Sequence, residues 1–107
     1  MSIIAERLRI VPEFLPDDHA MVHQVLSGKL DRRLSRWDPE QVELEISVKG
    51  RDTDQQRVAL ECWIAGAPKM VGTSSERRLE TAVAEVRDDL HRQVDKFVTR
   101  RETARKN

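Results

Sequence analysis

Val42-Glu43-Leu44-Glu45-Ile46-Ser47-Val48-Lys49 alternates apolar and polar side chains without a break. Arg57-Val58-Ala59-Leu60-Glu61-Cys62-Trp63-Ile64 does the same after a polar gap from Gly50 to Gln56. A period of two over two neighbouring runs predicts two strands joined as a hairpin, one face buried and one wet. Gly66-Ala67-Pro68 marks a second turn, and Lys69 to Thr73 reads as a short last strand. From Glu76 onward the period becomes helical.

Working back, Arg7 to Val11 alternates as a first strand, and Pro12 ends it because proline cannot donate to a ladder. Pro16, Asp17 and Asp18 mark a helix start: a preset φ, and acids at the positive end of the dipole. Val22, Leu26, Leu30 and Leu34 then recur every four residues, followed by Trp37, so one helix is expected from about Asp17 to Trp37. Asp38-Pro39 ends it.

Working forward, Thr73 and Glu76 have the spacing of a capping box for the last helix. Its apolar stripe is Leu79, Ala82, Val83, Val86, Leu90, Val94 and Phe97. The stripe stops at Thr99, so residues 101–107 are expected to be a frayed basic C-terminal tail. The order is β-α-β-β-β-α. It predicts one α+β domain over residues 1–100: a four-stranded mixed sheet with two helices packed on one face.

The chain has 107 residues, 38% hydrophobic and 36% charged, with 19 basic and 19 acidic side chains. A formal net charge of zero argues against a general polyanion binder but allows a segregated basic patch. Cys62 is the single cysteine, so no internal disulfide forms, as in a reducing cytosol. The Met-Ser-Ile-Ile start lacks the regions of a signal peptide, and no apolar run nears the roughly 20 residues of a membrane span. A cytoplasmic protein without membrane contact is expected.

Lys29, Arg32, Arg33 and Arg36 stand three and four apart, which places them on one flank of the first helix. Arg92, Lys96 and Arg100 stack every four residues on the last helix, with Arg101, Arg105 and Lys106 beyond. Asp88 precedes Arg92 by four, the favourable order for a helix ion pair, so the basic stripe is clean only past Arg92. Each stripe alone is compatible with a solvated face or a phosphate clamp. Side by side, the two could merge into one patch.

Chemistry beyond charge is sparse. His19 and His23 have the spacing of a metal pair, with no Cys or third His nearby in sequence, although Asp17 or Asp18 could help. His91 is expected to face solvent, and Cys62 to fill the core as a small hydrophobe. Trp63 is the only aromatic on the open sheet face, too few for a base-stacking platform. No Ser-His-Asp order, glycine-rich phosphate loop or isolated carboxylate pair stands out. Neither an enzyme, nor a cofactor, nor a small-molecule substrate is expected.

Arg57-Val58-Ala59-Leu60-Glu61-Cys62-Trp63-Ile64-Ala65-Gly66 resembles the third strand and following turn of the ribosome hibernation-promoting factors, also known as the ribosome-associated inhibitor or sigma-54 modulation family. Asp88-Asp89-Leu90-His91-Arg92-Gln93-Val94-Asp95-Lys96 resembles that family's last helix, and Lys29-Leu30-Asp31-Arg32-Arg33-Leu34 the basic end of its first. The resemblance covers about residues 5 to 100. It implies the fold above and binding in the small-subunit channel between head and body. There, family members overlap messenger and transfer RNA and hold ribosomes idle during stress. On the matching positions it implies RNA contacts by Lys29, Arg32, Arg33 and Arg36, and by Arg92, Lys96 and Arg100.

Arg78-Leu79-Glu80 departs from the acidic residue, hydrophobe and tyrosine usual at the start of the family's last helix, so that tyrosine's contacts do not carry over. The first strand is irregular, with Pro12 and an extra Glu13-Phe14-Leu15 stretch. An end near residue 107 implies a divergent short form, monomeric or weakly homo-oligomeric. The departures and the balanced charge also fit an alternative: a protein–protein module that binds a stress-response regulator.

Overall fold

The computed structural model describes the backbone of residues 2–106 and the side chains of residues 2–102. Chain order is α1 (Ile3–Arg7), β1 (Leu8–Ile10), α2 (Pro16–Leu26), α3 (Lys29–Leu34), a 3-10 turn (Pro39–Gln41), β2 (Val42–Lys49), β3 (Arg57–Ile64), β4 (Met70–Ser74) and α4 (Leu79–Lys106). The strands form one mixed sheet in the order β1-β2-β3-β4. β1 lies parallel to β2, with Leu8 opposite Leu44. β2–β3 and β3–β4 are antiparallel, with Leu44 opposite Cys62 and Leu60 opposite Gly72. The fold is α+β, as the alternation implies.

Alternation places Val42, Leu44, Ile46 and Val48 on one face of β2 and Val58, Leu60, Cys62 and Ile64 on the same face of β3, all buried. Val22, Leu26, Leu30 and Leu34 from α2 and α3, and Val83, Val86, Leu90 and Val94 from α4, complete the core. Each such aliphatic side chain contributes about 1.5–3 kcal/mol by leaving water. Cys62 sits among them, and burial raises its thiol pKa to about 12.

The first helix is not continuous. It breaks at Ser27-Gly28, where Gly28 has φ +97°, a conformation that favours glycine. Ser27 closes α2 by donating its hydroxyl to the His23 carbonyl at 2.6 Å. Because the break falls between Leu26 and Leu30, the apolar stripe still meets the core on both sides of it.

The N-terminus holds an unpredicted helix, α1. Ser2 caps it by accepting from the Ala5 amide at 3.0 Å, and Ile3 and Ile4 are buried. The Asp31 carboxylate accepts from the Ile4 amide at 3.0 Å, so the acid that interrupts the basic segment anchors the N-terminus.

The junction before α4 also differs from expectation. Thr73 is in β4 and caps nothing; Ser74 accepts from the Glu76 amide at 3.2 Å, and α4 begins at Leu79. Buried Gln56 closes the junction, its amide group donating to the carbonyls of Glu76 and Arg77 at 2.9 Å each. At the other end α4 continues to Lys106, beyond the apolar stripe, whose last buried member among the described residues is Val98. No helix among the described residues is long and apolar enough to cross a membrane.

Candidate nucleic-acid interface

The helical layer meets solvent along the seam where α3 runs beside α4. Seven cations were expected there; the fold puts six of them in three settings and leaves Arg32 exposed on α3.

In the first, Lys29 and Arg92 line one groove of about 320 Å³ with Arg87, Asp88 and His91. Arg87 donates to the Val25 carbonyl at 3.2 Å, placing a cation at the C-terminal end of α2, where the dipole is negative. Asp88 pairs with Arg87 at 2.9 Å rather than with Arg92, which instead reaches Asp89 at 3.4 Å.

The second setting is the seam itself. Arg33 Nε stands 2.6 Å from Asp95 Oδ1, off the line of an N–H···O hydrogen bond, so the contact is chiefly one of charge. His91 is half-buried here rather than solvent-facing, with Nδ1 3.3 Å from the other Asp95 oxygen. Further along, Arg36 lies 3.7 Å from Glu102 and 5.8 Å from the centre of the Trp37 ring. These pairs tie α3 to α4 and reduce the positive potential of the seam.

Lys96 and Arg100 form the third setting. They line a groove of about 250 Å³ on the β4 side of α4, opposite Lys69 and beside Gln93 and Phe97. The division follows from helix geometry: each step of four residues advances about 40°, so Arg92, Lys96 and Arg100 wind from the α3 side toward β4. Among the described residues, Lys29, Arg32, Lys96 and Arg100 have no carboxylate partner within 4.0 Å. The side chains of Arg105 and Lys106 lie outside the described residues.

Lys69 was not singled out from sequence. It follows a turn, 27 residues before Lys96 in the chain, and only the β3–β4 pairing brings it beside α4. It also ion-pairs with Glu61 and stands 5.3 Å over the Trp63 ring, so Trp63 is partly covered on the open sheet face. Around it the face is largely neutralised: Arg7 pairs with Glu43 at 3.5 Å and Arg9 with Glu45 at 3.7 Å. No three His, Cys, Asp or Glu side chains converge to hold a metal among the described residues.

A four-stranded mixed sheet with one face covered by helices defines the class of fold. That architecture is similar to a crystal structure of the N-terminal domain of Protein Y from Thermus thermophilus. The TM-score is 0.53 at 18% identity, covering 86% of this chain and 96% of the Thermus chain. At that identity the likeness is one of fold. No family model matches the chain, and no curated protein matches it.

Proposed function

We propose that this chain is a cytoplasmic ribosome-binding factor that occupies the messenger and transfer RNA channel of the small subunit and silences translation under stress. The observation that carries the proposal is a group of cations on the helical layer with no carboxylate partner among the described residues: Lys29, Arg32, Lys96 and Arg100. The fold supports it as well, because it is the one implied by the hibernation-factor resemblance of the β3 and α4 segments. Arg92 and, after exchange of their carboxylate partners for phosphates, Arg33 and Arg36 complete the surface.

Binding would proceed by neutralising rRNA phosphates and releasing counterions, with the rigid sheet excluding competing RNA. Arg33 and Arg36 give up about 0–1 kcal/mol each on leaving their partly exposed ion pairs, a small cost beside several phosphate contacts.

The test is co-sedimentation of purified protein with small subunits. Binding is expected at low salt, with a steep decline as salt rises. The variant Arg32→Glu/Lys96→Glu/Arg100→Glu should lose it with an unchanged circular dichroism spectrum. Undiminished sedimentation of that variant overturns the assigned surface.

A second reading, a protein–protein module contacting a stress-response regulator, is favoured by the ion pairs Arg33–Asp95 and Arg36–Glu102, which neutralise much of the seam. Pull-down from nuclease-treated lysate separates the two: loss of every partner on RNA digestion rules out the module.

A further inference from the structure

Where the end of α3 meets the outer half of α4, Arg36, Trp37, Phe97, Val98, Arg101 and Glu102 line a cleft of about 150 Å³. Two half-buried aromatic rings belong to it, and each carries a guanidinium over its face. Arg36 stands 5.8 Å from the Trp37 ring centre, and Arg101 5.6 Å from that of Phe97. Among the described residues Glu102 is the only carboxylate in the lining, with Oε1 3.7 Å from Arg36.

We propose that this cleft receives an unpaired cytosine base of a single-stranded RNA segment. The inference rests on the RNA-binding reading and deepens it, since phosphate contacts alone carry no base identity.

Three features select the ligand. Flat apolar walls topped by guanidinium planes are what unstacked bases stack upon, and the same guanidiniums neutralise the flanking phosphates. Size selects a pyrimidine, because a cleft of about 150 Å³ takes a single six-membered ring. The carboxylate selects cytosine over uracil: Glu102 accepts from the exocyclic amino group of cytosine, whereas the uracil carbonyl at that position repels it.

The test uses the full chain carrying Trp63→Phe, which leaves Trp37 as the only indole. Labelled six-nucleotide oligocytidine and oligouridine are titrated at low salt, reading both anisotropy and indole fluorescence. Oligocytidine should quench Trp37 and bind about tenfold tighter than oligouridine. Phe97→Leu and Arg101→Glu should each weaken oligocytidine at least about fivefold, and Glu102→Ala should erase the preference. Arg101 is exposed, so its variant reports on the cleft even if Phe97→Leu loosens the helix.

Absence of quenching, equal affinity for the two oligomers, or affinity indifferent to Arg101→Glu overturns the cytosine site. Ribosome co-sedimentation is run in parallel. Its persistence without oligomer quenching removes this inference alone, whereas loss of both removes the parent reading.

Discussion

Gly72 lies in β4 directly beneath α4, and its replacement by alanine tests how the helix is seated. A methyl group there would stand 2.6 Å from the Val86 carbonyl oxygen and 3.3 Å from both Val86 Cα and Asp89 Cβ. Ordinary contact begins near 3.4 Å. The nearest atom is backbone, which cannot rotate away, so α4 must retreat by several tenths of an ångström or β4 must bend. Overpacking of this kind costs about 1–3 kcal/mol. Gly72 does not have a positive φ, so alanine adds no left-handed strain. Reduced freedom of the unfolded chain returns about 0.4–1 kcal/mol. The net expectation is a loss of about 1–2 kcal/mol, which for a domain near this size lowers Tm by about 5–15 °C. Thermal unfolding followed by circular dichroism measures it. A Tm for Gly72→Ala equal to or above that of the parent chain would refute the claim that β4 and α4 meet through their backbones.

Three further outcomes are expected. Gln56→Ala strips a buried side chain from the carbonyls of Glu76 and Arg77 and should cost about 2–3 kcal/mol in urea unfolding; a value below about 0.5 kcal/mol would mean that the junction closes without it. Asp18 pairs with Arg51 at 2.6 Å; burial alone would raise its pKa, but the adjacent Arg51 guanidinium and the hydrogen bond from the Leu15 amide turn the net shift downward. The stability this adds is full above the unfolded carboxylate value near 4 and is lost as pH falls through the lower folded value. Asp18→Asn should therefore destabilise at pH 7 by about 1 kcal/mol, and the gap between variant and parent should close in acid; a gap independent of pH down to 2 contradicts this account. Cys62, with its thiol pushed up to about 12 by burial, should resist aromatic disulfide reagents at pH 8 until denaturant is added; rapid labelling of the folded chain would show that its strand opens.

The hairpin was legible because strand alternation is local: Val42, Leu44, Ile46 and Val48, like Val58, Leu60, Cys62 and Ile64, point to one side whatever lies beyond them. The break at Gly28 was less so, since Val22, Leu26, Leu30 and Leu34 keep their spacing across it. The five-residue α1 was too short for a periodic signal, and its stability comes from burial of Ile3 and Ile4 and from Asp31. For the candidate site, the sequence showed which residues are cationic but not which carboxylates oppose them. Arg33 meets Asp95 from 62 positions away, and Lys69 reaches the Lys96 groove through a strand pairing.

The order of the four strands and the last helix, the buried face of the sheet and the α+β class follow from the amino-acid sequence by itself, because side-chain period is a property of neighbouring residues. Which arginines retain an unopposed charge, how Trp37 and Phe97 come to line one cleft, and how closely β4 approaches α4 were decided only by the tertiary structure. Electrostatic and packing energies depend on distances through space, and those distances arise only after α3, α4 and the sheet have docked.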